Sequence, residues 1–416
     1  MTPTTTQDIN LQMGFLAKMA IVLLPIAILF SRSLAELAVV LVGVLFLVRS
    51  YRAKEWSWVK EPWFIAALVF TLYLTLVSAP FAAHPGIALP HSLFFIRWPI
   101  FAAALAYWLF ASPELRRWFE LTIAALVVFI VADSLLQYFT GADIFGKPPY
   151  SPIRLTGPFD RPVPGTYTLR IVFIALAVLY FSRYLKNDAS RVISLLIALS
   201  IAATFMFLTG ERVAFMSFLL GSGVVLLALI MTQKRGRIGI ILGGAILGAA
   251  IAGVLATQPQ MVERTIGSTV GTLQNFWNSS YGRLYDNALM LWKENPLTGI
   301  GMKNYRPVCK EVTQDPSIEG WFCAHPHNIY IEVLTEGGLI GLFLFTVMLG
   351  LILWNFLKAV PRQPMYASFA ISVFLATFWP IMSTMSITNG WIAAIIWMGM
   401  GWALTVTRPG DNEAKT

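Results

Sequence analysis

Apolar residues along this chain form long blocks separated by short polar connections. Each block runs about 17 to 25 residues, the length that a helix needs to cross roughly 30 Å of hydrocarbon. The pattern predicts an all-α polytopic membrane protein with about twelve transmembrane helices and a large, partly helical polar loop before the tenth span. The predicted span cores are 12–30, 34–49, 63–82, 92–111, 118–138, 167–185, 192–209, 213–232, 238–256, 338–358, 365–384 and 390–407.

Composition agrees with this pattern, because the chain is 57% hydrophobic and only 12% charged. A soluble domain carries about twice that share of charge. The first block lacks a basic leader and a small-residue cleavage site, which favours a retained helix over a signal peptide. The net charge of +9 comes mainly from short basic clusters between spans, so no nucleic-acid partner is expected.

Basic residues occupy every second connection and therefore predict the orientation. They are Arg49, Arg52, Lys54, Lys60, Arg116, Arg117, Arg183, Lys186, Arg191, Lys234, Arg235, Arg237, Lys358 and Arg362, with Arg408 and Lys415 after the last span. These connections and both termini are predicted to be cytoplasmic. All four histidines, His84, His91, His325 and His327, then face the opposite side.

The predicted orientation divides the chain into three segments. Residues 1–256 hold helices one to nine, with a long outer connection at about 139–166. Residues 257–337 form the large outer loop, and residues 338–416 hold the last three helices and a cytoplasmic tail. Polar chain beside a membrane tends to carry function, so the catalytic elements are expected in 257–337.

Two cysteines, Cys309 and Cys323, lie in this large outer loop. Their shared placement in an oxidising compartment favours a disulfide over two free thiols. The bridge would close a loop of about 15 residues and contribute roughly 3 kcal/mol in the chain-entropy description.

Two arginines interrupt apolar runs near the predicted outer ends of spans. Arg97 lies in "LFFIRWPIF" and Arg170 in "TYTLRIVFIA". A buried charge there lines a polar cavity or binds an anionic partner. Extension of the side chain to the lipid headgroups is the alternative, and the sequence leaves both open.

Two further arginines lie in polar outer segments. Arg212 follows the turn Thr209-Gly210-Glu211, where its planar five-donor group would suit a phosphate or pyrophosphate. Arg283 lies near the start of an amphipathic helix that Asn295-Pro296 is expected to end. The alternatives are a helix-start residue at headgroup level and a solvated surface arginine.

His327 is the strongest candidate for acid–base chemistry, because an imidazole with a pKa of about 6.5 suits proton abstraction near neutrality. If 327–341 is one helix, Gly338 and Gly341 fall on nearly the same face as His327 and leave room for a lipid tail or a packed helix. A hydrogen-bonded structural histidine is the alternative. The sequence has no metal-spaced His/Cys cluster, paired carboxylate clamp or Gly-rich phosphate loop, so no cofactor and metal-independent chemistry are expected.

His327-Asn328, nine residues and Gly338-x-x-Gly341 resemble the His-[Asn/Ser/Gln]-x9-Gly-x-x-Gly motif of the O-antigen ligase family. Its superfamily also contains O-antigen polymerases and protein O-oligosaccharyltransferases. "LTGERVAF" resembles the family's Thr-Gly-x-Arg turn, and "YGRLYDNALMLWKENPLTGIGMKNY" resembles its arginine-containing helix. "RLTGPFDRP", which begins at Arg154, is similar to its Arg-x-x-Gly-x-Phe segment. The motifs that carry the resemblance lie in about residues 150–345, and the predicted arrangement of spans resembles the family over the whole chain.

This resemblance implies transfer of a glycan from undecaprenyl pyrophosphate to a sugar hydroxyl of lipid A–core. The reaction would take place at the periplasmic face of the Gram-negative inner membrane. His327 would take the proton of the acceptor hydroxyl as it attacks and inverts the anomeric carbon. Arg212 and Arg283 would bind the diphosphate and stabilise the leaving group.

The resemblance also implies a wider binding set and a list of partners. Arg97, Arg154 and Arg170 would be additional donors to the substrate, with Asn328, Gly338 and Gly341 in the same site. The partners would be the lipid-linked O-antigen donor, lipid A–core and the bilayer. An O-antigen polymerase or protein O-oligosaccharyltransferase would share the donor chemistry. A non-enzymatic transporter of lipid-linked glycans would instead need charges through the bilayer and internal repeats.

Overall fold

The computed structural model describes residues 6–233, 236–313 and 322–409 of the chain. Regular structure in these ranges is helical, apart from one isolated bridge between Ser151 and Arg154. The all-helical prediction is therefore confirmed. Of the basic residues that predict the orientation, Lys234, Arg235 and Lys415 lie outside the described residues.

Seven helical stretches in the described ranges are long and apolar enough to cross a membrane. They are Arg32–Ala53, Pro62–Phe81, Pro85–Ala111, Pro113–Thr140, Asp188–Leu208, Arg212–Thr232 and Ile329–Ala359. Shorter apolar helices cover Gly14–Phe30, Pro164–Tyr180, Pro364–Phe378 and Gly390–Val406, and Arg237–Ala256 is a further helix of 20 residues. The chain is thus a polytopic membrane protein, and each predicted span overlaps one of these helices; the number of twelve crossings stays a prediction.

Two predicted spans end too late. The helix predicted to reach residue 384 stops at Phe378, and the helix predicted to reach residue 185 stops at Tyr180. The first difference has a clear cause, because Trp379 precedes Pro380 and adopts an extended conformation with ψ 127°. A residue before proline is sterically disfavoured in the helical region. The chain from Trp379 to Asn389 therefore forms a loop.

The described chain forms two compact units. The first contains the chain up to Ala111, Asn275–Asn355 and Pro380–Gly401. Its helices are Thr6–Phe30, Arg32–Ala53, Ser57–Lys60, Pro62–Tyr73, Leu74–Ser78, Ala79–Phe81, Pro85–Leu93, Phe94–Ile96, Arg97–Tyr107, Leu109–Ala111, Phe276–Asn278, Ser280–Glu294, Tyr305–Thr313 and most of Ile329–Ala359 and Gly390–Val406. Its polar segment has a small core of its own, made of Ala288, Leu291, Ile300, Tyr305, Val308, Cys309 and Cys323.

The second unit contains Ser112–Gln274, Phe356–Trp379 and the chain from Trp402. Its helices are Pro113–Thr140, Pro164–Tyr180, Asp188–Leu208, Arg212–Thr232, Arg237–Ala256, Pro259–Val262, Glu263–Gly267, Ser268–Gln274 and Pro364–Phe378. Polar side chains join its helices in the apolar interior. Ser372 Oγ donates to the Gly221 carbonyl at 2.8 Å, and Trp402 Nε1 donates to Glu120 Oε1 at 3.0 Å.

The helix Ile329–Ala359 is broken at Gly338, where φ is 68° and ψ is −171°. The segment from Pro296 to Gly301 lies against the break and pairs with the backbone groups that the break frees. The hydrogen bonds run from Ile300 N–H to Thr335 O (3.0 Å), Gly301 N–H to Glu336 O (2.9 Å), Leu339 N–H to Pro296 O (2.9 Å) and Ile340 N–H to Leu297 O (3.3 Å). Broken helices are tolerated in membranes when protein supplies such partners.

Candidate functional site

The segment around His327 is a turn and not the start of a helix. His327 has φ 56°, and the helix begins at Ile329. Asn328 caps it, since Asn328 Oδ1 accepts from the N–H groups of Tyr330 at 2.9 Å and Ile331 at 3.1 Å. The prediction of one helix over 327–341 is therefore wrong in two respects. His327 lies in a turn before the helix, and Gly338 breaks the helix.

The rings of His325 and His327 lie against each other, with centroids 3.9 Å apart. Burial lowers the pKa of His325 to about 3, helped by neighbouring His327 and Lys303 and opposed by a hydrogen bond with the Thr384 backbone. Burial also lowers the pKa of His327 to about 4. Both rings are therefore neutral near pH 7, and a neutral imidazole can accept a proton. A pKa near 6.5 is expected for His327 from the sequence, because the sequence does not show the effect of burial.

Arg283 lies on the helix Ser280–Glu294, which packs beside the histidine turn. Its side chain is exposed, and its guanidinium carbon lies 5.2 Å from the centre of the Phe322 ring. On the same helix, the Tyr285 hydroxyl hydrogen-bonds the side chain of Asn328. The structure thus brings the predicted arginine helix and the predicted histidine together in the first unit.

The predicted disulfide between Cys309 and Cys323 is confirmed, with Cα atoms 5.4 Å apart. Both residues belong to the small core of the polar segment. The bridge attaches Cys323 to the helix Tyr305–Thr313. From Cys323 the chain continues through His325 to His327.

We expect replacement of both Cys309 and Cys323 by serine to lower the free energy of unfolding by about 3 kcal/mol, the value for closing a loop of this length. Thermal unfolding in detergent measures this change. A reductant should lower the melting temperature of the wild type to that of the variant, and it should leave the variant itself unchanged. A double variant that melts with the wild type would contradict the expected contribution.

Arg97 also belongs to the first unit and begins the helix Arg97–Tyr107. The side chain is half-buried. One terminal nitrogen donates to the Phe94 carbonyl at 3.0 Å, and the guanidinium carbon lies 4.4 Å from the Trp98 ring centre. Glu36 is close enough to interact with it electrostatically. Glu36 therefore contributes negative charge near Arg97, and the two sequence alternatives for Arg97 stay predictions.

The turn with Arg212 belongs to the second unit, and its central contact is made by Glu211. The Glu211 carboxylate accepts from the N–H groups of Gly165 at 2.6 Å and Thr166 at 3.0 Å, and from the Thr166 hydroxyl. These groups are the first turn of the helix Pro164–Tyr180, where a negative charge is stabilised. Burial nevertheless raises the pKa of Glu211 to about 7. Arg212 follows as the first residue of its own helix, half-buried.

Arg170 and Arg154 lie near the same carboxylate. Arg170 is only 1% exposed, donates to the Thr166 carbonyl at 2.6 Å, and interacts electrostatically with Glu211. This burial favours a partner inside the protein over a side chain extended to the headgroups. Arg154 donates to the Pro162 carbonyl at 3.3 Å, and its Nε is buried with no hydrogen-bond partner among the described residues.

One arginine of this cluster was missed by the sequence interpretation. Arg264 Nε donates to the Gly210 carbonyl at 3.0 Å, so Arg264 supports the turn that carries Arg212. A Cβ on Gly210 would overlap the Ile153 carbonyl on the other side. The sequence signal was weak, because Arg264 lies in the short helix Glu263–Gly267, some 50 residues along the chain from its partner.

The two motif glycines pack against protein. A Cβ on Gly338 would overlap the backbone of Leu297 and Thr298, and a Cβ on Gly341 would lie 3.4 Å from the Tyr73 ring. The Tyr73 hydroxyl donates to the carbonyls of Gly337 at 2.8 Å and Leu297 at 3.1 Å. Both glycines thus allow close packing, and a role beside the substrate, with which such packing is compatible, stays a prediction.

Residues 196–346 match the protein family described as O-Antigen ligase. The chain contains an O-antigen ligase family domain. The matched range contains Arg212, Arg283, His327, Asn328, Gly338 and Gly341, whereas Arg97, Arg154 and Arg170 precede it. A search of curated proteins found no match. A domain of this family indicates a glycosyltransferase of the ligase or polymerase type that acts on lipid-linked glycans.

Proposed function

We propose that this protein is an O-antigen ligase of the Gram-negative inner membrane. It would transfer O-antigen from undecaprenyl pyrophosphate to a sugar hydroxyl of lipid A–core, with its site facing the periplasm and both termini in the cytoplasm. The observation that carries the proposal is the neutral, half-buried His327 in a left-handed turn directly before the helix of the matched motif. The segment 257–337 would hold the catalytic elements between helices one to nine and the last three.

The proposed chemistry is an inverting displacement at the anomeric carbon of the donor. His327 takes the proton of the acceptor hydroxyl, whose oxygen forms the new bond to that carbon from the face opposite the diphosphate. The bond between the anomeric carbon and the diphosphate oxygen breaks, and undecaprenyl pyrophosphate leaves with the electron pair. The diphosphate is already a good leaving group, so the proposed reaction needs no metal.

Arginines supply the positive charge in this proposal. Arg212 and Arg283 would bind the diphosphate and stabilise the charge that develops as it leaves. Arg97, Arg154 and Arg170 are proposed as additional contributors to binding, as are Asn328, Gly338 and Gly341. For Arg170, Glu211 and the first turn of its helix fix the guanidinium before any substrate arrives. A preorganised donor costs little reorganisation when charge appears on the leaving group.

The proposed role of His327 makes a prediction about pH. For kcat/KM, which reports the free enzyme, we expect activity to hold from about pH 8 to pH 5 and to fall as pH drops through about 4. Below that value the ring is protonated and cannot accept the hydroxyl proton. Bound diphosphate would raise the pKa of the ring, so the acidic limb of kcat should lie at higher pH than that of kcat/KM.

Initial rates at several donor concentrations across this pH range measure both limbs. Enzyme returned to pH 7 after acid exposure serves as the control for unfolding. A fall in kcat/KM centred on the ordinary imidazole value of about 6.5 would contradict the proposed state of the free enzyme.

An O-antigen polymerase or a protein O-oligosaccharyltransferase would share this donor chemistry and differ in acceptor. The deciding experiment therefore supplies acceptors separately. Purified protein and lipid-linked O-antigen are mixed in EDTA with lipid A–core, with a second lipid-linked repeat unit or with an acceptor protein, and the products are resolved on gels. We expect capped lipid A–core from the wild type and none from Arg283→Ala. Product only with a repeat unit or a protein would assign the other branches, and no product at all would favour a transporter.

A further inference from the structure

The loop from Pro380 to Asn389 is bound to the histidine turn and the following helix. The sequence interpretation assigned its first half to a membrane span and gave it no role. The contacts are Asn328 Nδ2 to Pro380 O (2.7 Å), Thr384 N–H to His327 O (2.9 Å) and Ile387 N–H to Glu332 Oε2 (3.1 Å). The loop thus follows the chain from the histidine turn into the first turns of the helix Ile329–Ala359.

Glu332 binds the second half of the loop, at Ser386 and Ile387. Its side chain is 3% exposed. One carboxylate oxygen accepts from the Ser386 hydroxyl, and the other accepts from the Ile387 N–H. Lys303 Nζ donates to Ser386 Oγ at 3.5 Å and brings a positive charge to the same place. Burying a carboxylate costs free energy unless its oxygens accept hydrogen bonds. Breaking either bond to the loop would therefore cost free energy, and Glu332 anchors this part of the loop.

The anchored loop in turn holds the two histidines. Its Thr384 N–H binds the main-chain carbonyl of His327, and its Thr384 backbone also hydrogen-bonds the ring of His325. The left-handed conformation of His327 is unfavourable for a residue with a Cβ. Such conformations persist only where the surrounding structure imposes them. Thr384 is one of the groups that do so.

We propose that Glu332 is a positioning residue for His327, acting through Ser386, Ile387 and Thr384 of the loop. This inference rests on the proposed function, in which His327 takes the acceptor proton. Glu332 acts without contacting the substrate. It fixes the loop, and the loop fixes the backbone of His327 and the ring of His325 that packs on it.

The variant Glu332→Gln tests the contact directly. A glutamine has one accepting oxygen, so either the Ser386 hydroxyl or the Ile387 N–H loses its acceptor. We expect kcat to fall at least about tenfold while KM for donor and acceptor stays near the wild-type value, since a small misplacement of a reacting group can reduce rate by roughly 100-fold. Ser386→Ala should lower kcat in the same way. The loss in the double variant should be smaller than the product of the two single losses, because both changes act on the same cluster of contacts.

A matched control is Ser372→Ala. Ser372 is also buried, and its hydroxyl donates to the carbonyls of Gly221 and Ser368 in the second unit, so kcat should hold in this variant. Thermal unfolding of every variant separates a positioning effect from a general loss of fold. Wild-type kcat in a folded Glu332→Gln or Ser386→Ala protein would overturn the proposal, as would equal loss in Ser372→Ala.

The same assays distinguish failure of this inference from failure of the proposed function. If the wild type turns over and a folded His327→Asn protein does not, the proposed function stands whatever Glu332→Gln shows. If the wild type makes no product with any acceptor, the proposed function fails, and the positioning role fails with it.

Discussion

Replacing His327 by alanine should reduce turnover by about 100- to 10,000-fold, the range that a positioned general base contributes. The ring is half-buried and neutral, so it can receive the hydroxyl proton, and alanine offers no acceptor in its place. The lost step is proton transfer, so kcat should fall more than KM changes. Initial rates of lipid A–core capping at saturating and at limiting donor measure both quantities.

Two further variants make the result on His327 decisive. Asparagine tolerates a left-handed backbone better than alanine does, so His327→Asn removes the base with less strain on the turn. It should be folded and as inactive as His327→Ala. His91→Ala is the matched control, because His91 is exposed and its ring hydrogen-bonds the Ile87 carbonyl one turn away. Turnover near the wild-type rate in a folded His327→Asn protein would end the assignment of His327 as base.

The helices were predictable because membrane spans depend on the length and apolarity of continuous blocks, which the sequence shows directly. The disulfide was predictable because the two cysteines of the chain lie in one polar segment. The apolar run 365–384 shows the limit of this approach. Its last residues are apolar enough for a span, but Pro380 ends the helix, and the loop that follows binds the histidine turn.

The candidate residues of each unit depend on contacts between parts of the chain that are distant in sequence. Glu211 binds the first turn of a helix that begins 47 residues earlier, and Arg264 binds the carbonyl of Gly210. No local pattern marks such partners. The burial that lowers the pKa of His327 is also a property of the folded segment. The residue types were therefore visible in the sequence, whereas their protonation and positioning were not.

Gly338→Ala should give the largest loss of folded protein of any change considered. The backbone at Gly338 has φ 68° and ψ −171°, a region that is essentially restricted to glycine. The strain alone would be on the order of 1–3 kcal/mol. The new Cβ would also overlap the backbone of Leu297 and Thr298, which cannot rotate away as a side chain would. Relief would separate the Pro296–Gly301 segment from the broken helix and expose its paired groups in an apolar setting.

Gly350→Ala is the matched control for Gly338→Ala, since it lies in the same helix and a Cβ there meets nothing within 4 Å. Alanine is favoured over glycine by about 1 kcal/mol inside a helix, so Gly350→Ala should be as stable as the wild type or more stable. Yield after size-exclusion chromatography and the melting temperature in detergent measure both variants. If Gly338→Ala matched Gly350→Ala in yield and melting, the close backbone packing would not stabilise the fold. If instead Gly338→Ala alone were lost, the broken helix would explain why the first position of the Gly-x-x-Gly motif requires glycine.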